Sequence, residues 1–296
     1  MIRCKICQSQ VQEVGKKTGY LDSREFILLH CGQCHFSFVA NPRLDFEEIY
    51  SESYYRGKGA DHYVDYVYEL EHHELSIRNY EWQGILKTIK YLFAKPLNDQ
   101  ISWLDYGCGN GGLVRYVDNK TNCKVIGYDE GWIIKKAQEY GIPVTNQLNR
   151  VKSHEKFDII TAIEVLEHVE DPLNILRKIR SMLKPNGLFF YTTGNAFPHR
   201  KNMLNWRYFI PEIHISLYEP ETLAIALRKT GFRIENSKTL NNGWIDIIRF
   251  KCLKNLGVLK RNNLERMVPW NIIAPLVNTI TKNSYHPIAW AKKLNE

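Results

Sequence analysis

Three groups of residues have the types and spacing to do chemistry. In Leu104-Asp105-Tyr106-Gly107-Cys108-Gly109-Asn110-Gly111 an apolar run meets clustered glycines, which let a backbone turn sharply and approach a ligand with no Cβ in the way. Asp129 closes a second apolar run about 20 residues beyond the glycines, where a carboxylate accepts hydrogen bonds from both hydroxyls of a ribose. Together they specify a nucleoside-bearing ligand. The second group is Glu164-Val165-Leu166-Glu167-His168-Val169-Glu170-Asp171-Pro172. Asp171 and Pro172 have the types that cap and open a helix, which leaves Glu164, Glu167 and His168 without a folding role. The third is Cys4-Lys5-Ile6-Cys7 with Cys31-Gly32-Gln33-Cys34. Two such knuckles can set Cys4, Cys7, Cys31 and Cys34 tetrahedrally around one zinc ion, a closed and therefore structural site; redox chemistry of one pair is the rival reading.

The elements that must position these groups follow from periodicity. A strand-like hairpin over Tyr20 to His30 separates the knuckles, and Asn41-Pro42-Arg43 marks a boundary. From Phe46 to Phe93 the apolar spacing is helical, through Tyr63, Tyr66, Val67 and Leu70 and then Ile85, Leu86, Ile89, Leu92 and Phe93. Tyr50, Tyr54, Tyr55, Tyr63, Tyr66 and Tyr68 crowd this connector, some of them placed to reach over the ligand as a lid. His72 and His73 beside Glu71 and Glu74 read as a solvated helix face rather than a metal cluster. Beyond Ile101 strands and helices alternate, which implies a parallel sheet with crossover helices. The fourth strand, Phe157 to Ile163, is almost wholly apolar and so buried on both faces. Its carboxyl end, where open α/β sheets hold ligands, carries the Glu164 to Pro172 run. A fifth strand, Leu188 to Thr193, feeds a long irregular segment from Gly194 to Tyr218, and such long loops are usually functional. Helix Pro220 to Lys229, strand Phe232 to Leu240, a basic helical stretch over 244–282 and strand His286 to Lys293 complete the chain.

The chain has 296 residues, 44% hydrophobic, enough to bury one large core and a small appendage. No run of eighteen apolar residues exists and the N-terminus lacks a signal-peptide h-region, so the expected setting is the reducing cytoplasm without a transmembrane segment. The net charge of +8 is uneven. Lys and Arg number 12 against 14 Asp and Glu in residues 1–100, 12 against 11 in 101–194, and 16 against 7 in 195–296. A basic last third suits nucleic acid, an anionic membrane surface or a phosphorylated substrate, or it serves solubility alone.

Gly107, Gly109 and Gly112 also satisfy the pattern of dinucleotide enzymes, but a pyrophosphate over this turn would share a dry crevice with Asp105. S-adenosylmethionine has no phosphate and carries an ammonium and a sulfonium, which that carboxylate attracts. On these residues the chain resembles the class I S-adenosylmethionine-dependent methyltransferases, whose first motif is similar to Leu104 to Gly111 and which carry a run like Glu164 to Pro172 beside the transferred methyl. The resemblance implies an α/β fold with a Rossmann-like sheet, parallel except for one antiparallel strand. Residues 1–40 would form the zinc ribbon and 41–95 the helical connector or lid. Residues 96–296 would form the cofactor-binding domain, with a helical insertion near 244–282. It also implies that Asp105, Gly107, Gly109, Gly111, Asp129, Trp132, Asn146 and Glu164 hold S-adenosylmethionine. Gln147 is the alternative to Asn146 at the adenine amine, and burial against the sheet is the alternative for Trp132.

Methyl transfer is an in-line displacement at the sulfonium carbon, so the protein must align the acceptor and, for an oxygen or acidic carbon, remove a proton. His168 and His214 suit that task, with Glu167 adjoining. His214 lies in Pro211 to Pro220, similar to the family's histidine before the fifth helix. The ribbon, connector and catalytic domain together resemble bacterial enzymes that methylate sugars, nucleotide-linked, in surface polysaccharide or in natural products. The C-methylating members carry a further C-terminal domain, so O-methylation of a sugar, glycan or similar hydroxylated small molecule, phosphate-bearing or not, is the expected activity. A ribosomal RNA methyltransferase is the first rival. Against it, residues 1–100 are slightly acidic and the (Asp/Asn)-Pro-Pro-(Tyr/Phe) motif is missing after strand four. A keto-sugar C-methyltransferase and a non-catalytic scaffold that binds the cofactor are the others.

Overall fold

The computed structural model describes residues 2–61, 64–153, 156–234, 242–280 and 288–293. It opens with the hairpin β1 (Gln12–Thr18) and β2 (Glu25–His30), followed by β3 (Ser37–Val39). The hairpin therefore begins earlier than the sequence suggested. Strand β1 is charged and lies with most of its side chains in solvent, so it carries no apolar alternation to read. The connector folds as α1 (Phe46–Ile49), α2 (Glu52–Tyr55), α3 (Tyr66–Glu71), a single 3-10 turn and the long α4 (Arg78–Phe93). His73 departs from the solvated face expected of it. It is buried, its ring stacked 4.5 Å from Trp82, because α4 folds back over that turn.

The catalytic sheet starts with β4 (Ser102–Tyr106), then α5 (Gly112–Lys120), β5 (Lys124–Tyr128), α6 (Ile133–Glu139), β6 (Val144–Thr145) and α7 (Leu148–Ser153). Next come β7 (Phe157–Ile163), α8 (Pro172–Met182) and β8 (Leu183–Thr192). The segment after β8 holds two 3-10 turns and β9 (Ser216–Leu217). The remainder is α9 (Pro220–Lys229), β10 (Phe232–Ile234), α10 (Asn242–Asn255), α11 (Asn263–Arg266), α12 (Trp270–Ile280) and β11 (Ile288–Lys293). Tyr63, the expected continuation of β10 to Leu240, residues 281–282 of the insertion and His286 at the start of the last strand lie outside the described residues.

Seven strands form one sheet in the order β10-β11-β8-β7-β4-β5-β6. Strand β11 runs antiparallel to both β8 and β10, while β4, β5, β6, β7 and β8 pair in parallel. This is the expected Rossmann-like arrangement with one antiparallel strand. Both faces are covered, so central strands such as β7 can be apolar throughout. One face packs α4, α5 and α6 around Trp103, Ile85, Val114 and Ile134. The other packs α8 and α9 together with the N-terminal module, since Cys4, Ile6, Phe36 and Phe38 share a core with Leu176, Tyr218 and Leu223.

The second sheet has the order β1-β2-β3-β9. Its fourth strand comes from the long segment after β8: Ser37 pairs with Leu217 and Phe38 with Ser216. The ribbon-like module is thus completed by a strand whose chain neighbours line the catalytic cavity.

Candidate active site

At the carboxyl end of β4 the chain turns through Gly107 and Gly109, with φ of +74° and +53°, a region that favours glycine. The amides of Gly107 and Cys108 both donate to Tyr128 O, which ties the turn to the end of β5. Asp129 follows. Its two oxygens accept from Gly109 N and Gly131 N at 2.9 and 2.8 Å, so a carboxylate at the cavity also fixes the glycine turn. Gly111, expected at the ligand, instead opens α5 and packs against Ile142 and Val144. Asp105 is buried and accepts from Thr161 Oγ1 at 2.7 Å. Burial pushes its carboxyl up to about 7, a rise that the threonine opposes and the Asp129 charge reinforces.

Asp105, Gly107, Gly109 and Asp129 line a cavity of about 1100 Å³. A ligand pocket ranges over roughly 300–1,000 Å³, so there is room for a cofactor and a second molecule. Asn146, and not Gln147, is among the described residues that line it, as are Trp132 and Glu164. Trp132 lines the cavity with its ring stacked 6.5 Å from Tyr55, and it packs against the core of the sheet. Tyr50, Tyr54, Tyr55 and Tyr66 line the cavity from the connector side.

A polar cluster occupies the far side. Glu164 ends β7 in the left-handed region, φ +54°, costly for a residue with a Cβ. The turn aims its carboxylate inward, where it accepts from Thr192 Oγ1 at 2.8 Å. Glu167 is fully buried and accepts from Thr193 Oγ1 at 2.7 Å. The Tyr208 hydroxyl touches both carboxylates and also accepts from Gly194 N. One hydroxyl proton cannot serve two carboxylates, so one of the pair carries its own proton. Lys251, buried on α10, stands 3.8 Å from Glu164. Burial lowers its ammonium from the usual lysine value, and the Glu164 charge opposes that fall. Glu167 is pushed up to about 8 by burial and by the Glu164 charge, and it holds the proton.

His168 and His214 meet above this pair, ring centroids 4.9 Å apart. Ile213 O accepts from His168 Nδ1 at 2.9 Å, so Nδ1 carries the proton and Nε2 keeps its lone pair. Tyr50 Oη lies 2.9 Å from the same Nδ1. Tyr208 O accepts from His214 Nδ1, which leaves Nε2 of that ring as an acceptor too. Burial lowers His168 to about 4, so the imidazole is neutral at physiological pH. Ligand-type atoms of Glu167, His168 and His214 lie within 4.8 Å of one another.

Sequence reasoning missed Tyr208, Arg78 and Lys251. The flagged long segment pointed towards Tyr208. Arg78 carried no local signal: it opens α4, lines the cavity and pairs with Glu69 and Glu81, each at 3.0 Å. The four cysteines lie some distance along the chain but together in space, Cys4 to Cys34 and Cys7 to Cys31 each at 3.4 Å between sulfurs. Each knuckle turns alike. Gln8 and His35 take positive φ, and their amides donate to Cys4 O and Cys31 O. Amides of Ile6 and Cys7 point at Cys4 Sγ. Four converging sulfurs with amide support are the donor set of a tetrahedral zinc site.

A glycine turn, a carboxylate at the end of the next strand and an Glu-x-x-Glu-His run at the end of β7 define a nucleoside-binding α/β enzyme fold. A family model described as a methyltransferase domain matches residues 75–237, more than half of the sequence, and the chain belongs to that family. It is similar to the ubiquinone biosynthesis O-methyltransferase of Actinobacillus pleuropneumoniae serotype 7 (strain AP76), 38% identical over 106 residues, 31% of this chain and 45% of that protein. The enzyme of the same name from Aliivibrio fischeri (strain ATCC 700601 / ES114) is 33% identical over 121 residues, 38% of this chain and 49% of that protein. The chain thus spans about half the length, or less, of these curated relatives. Among solved structures it is similar to the plantazolicin methyltransferase BamL in complex with a triazolic desmethylPZN analog and SAH, with TM-score 0.49 and 17% identity over 82% of this chain and 94% of that one.

Proposed function

We propose that the protein is an S-adenosylmethionine-dependent O-methyltransferase acting on a hydroxylated small molecule. Family membership supports the methyl donor, and the names of the relatives support oxygen as the acceptor atom. The observation that carries the reading is the pair of imidazoles, each with Nδ1 held by a backbone carbonyl, in the same cavity as the glycine turn and Asp129. In this reading Asp129 holds the ribose, Asp105 faces the cationic methionine portion, and Asn146 and Trp132 flank the adenine. Nε2 of His168 takes the acceptor's hydroxyl proton as the oxygen attacks the methyl carbon, and the sulfonium leaves as a neutral thioether. His214, stacked 4.2 Å from Tyr208, orients the acceptor. The relatives' names point to a ubiquinone-type ring rather than to the sugar or glycan expected from the sequence. The four thiolates hold a structural zinc ion.

Transfer of labelled methyl from S-adenosylmethionine into a cell extract, fractionated into lipids, small metabolites, polysaccharide and RNA, tests this. Label in the lipid or metabolite fraction, lost with Asp129→Ala, is expected; label in RNA alone would sink the proposal. His168→Ala should reduce turnover by about 10²–10⁴-fold, the range for loss of a general base, with cofactor affinity unchanged. The closeness of Glu167, His168 and His214 favours one second reading, in which they ligate a divalent cation that binds the acceptor's oxygens. Dialysis against a chelator sorts the two: turnover lost and then restored by magnesium or manganese would reassign the histidines as ligands.

A further inference from the structure

The insertion between β10 and β11 has an outer surface that methyl transfer does not use. Its inner side is well packed: Phe250, Leu253 and Trp270 join Ile77 and Tyr80 in one cluster. Outward, large aliphatic side chains stand in solvent, Met267 at 80% exposed, Leu256 at 77%, Ile272 at 63% and Leu276 at 57%. Ile272 and Leu276 are four residues apart on α12 and so share a face of a helix that has no charged residue along its length. The exposed charges of residues 256–280 are of one sign, with exposed Glu74 on the turn that pairs with this stretch at Ser76 and Lys260. Residues 256–280 contain Lys260, Arg261 and Arg266 and a single acid, Glu265. That acid is buried and bound to Arg249 and Tyr80, so it adds nothing to the outer field.

Protruding aliphatics with a cationic surround fit a headgroup layer. Apolar side chains enter the acyl boundary while lysine and arginine stay at the anionic surface. A folded partner would need a hydrophobic groove to receive them and an acidic rim as well. We propose that the Leu256–Leu276 surface seats the protein on an anionic lipid bilayer. The same surface adjoins the cavity: Lys254, two residues before Leu256, lines it. Seated in this way, the protein would present that side of the cavity to the membrane.

Flotation of the full-length protein with vesicles of phosphatidylcholine alone, and of phosphatidylcholine mixed with phosphatidylglycerol, tests the proposal. The mixed vesicles should carry the protein and the neutral ones should not. The double variant K260Q/R266Q should bind roughly thirtyfold less well, from about fivefold for each surface cation. I272E/L276E should lose flotation while keeping its circular dichroism and cofactor affinity, because both side chains are already in solvent. Equal flotation on neutral vesicles, or unchanged binding by either variant, overturns the proposal. So does a concentration-dependent dimer in the absence of lipid that I272E/L276E abolishes, since a second copy would then be what covers this face.

Discussion

Asp105 shows how one side chain can set the conditions under which the cavity fills. Its carboxyl lies near 7 because it is buried, well above the ordinary aspartate value. Below that pH it is neutral and offers nothing to a sulfonium or an ammonium; above it the charge is present. Affinity for S-adenosylmethionine should therefore rise with pH across that value, by up to about tenfold per unit. Asp105→Asn should give a flat and weak profile by titration calorimetry. A wild-type profile that is flat or falls with pH would refute the assignment. This residue, Asp129 and the Glu164 to His168 run were legible because each belongs to a continuous stretch whose types make sense together. Tyr208, Arg78 and Lys251 were not, because each acquires its role from a partner 3 to 87 positions away, and only packing brings them together.

At the scale of elements, the question is what braces the wall that carries Tyr208 and His214. Glu212, buried in that wall, accepts backbone hydrogen bonds from Tyr20 and Leu21 at the tip of the β1–β2 hairpin. Lys17 donates to Phe209 O at 2.6 Å and Val39 N to Ile215 O at 2.9 Å. The hairpin and β3 therefore grip the segment on the two sides of His214. Glu212→Ala should remove the acceptor of two amides at the hairpin tip, at about 0.5–1.5 kcal/mol each, and lower turnover with little change in cofactor affinity. Stopped turnover and lost cofactor binding together would mean general unfolding instead. Removing zinc with a chelator should act on the same wall, read as a loss of acceptor binding while S-adenosylmethionine still binds. The sequence concealed this coupling. Strand β9 is two residues long within an irregular segment, and β1 is polar on nearly every position, so neither has a periodicity to detect.

For the molecule as a whole, the N-terminal module and the catalytic sheet share one hydrophobic core. Phe36 stacks on Phe38 and leans on Tyr218, and Phe26 and Leu28 pack with Phe209 and Leu217. A chain lacking residues 1–40 should expose that surface and aggregate on size exclusion; a monodisperse, cofactor-binding product would show that the catalytic sheet stands alone. The alternating strands and helices made the architecture legible early, since a parallel sheet follows from that alternation almost by geometry. The meaning of the basic last third was less so. Several of its cations turn out to be internal wiring: Arg200 pairs with Glu219, Arg249 with Glu265, and Lys229 and Lys293 donate to Ile6 O and Leu183 O. What remains for an outside partner is local, concentrated on the insertion.

The pairing of Ser37 with Leu217 also sets an order of events as the chain is made. The cysteines emerge from the ribosome first, but the strand that completes their sheet lies 180 residues further on and cannot join until the catalytic sheet is largely synthesised. Contacts so distant in sequence form slowly, because a long loop must close before they reward it. The knuckles can take their metal early while one sheet edge stays open and prone to pair with another chain. Closure of that edge and assembly of the wall bearing His214 are then one step, so a nascent chain gains its acceptor side only when its beginning and its later part meet.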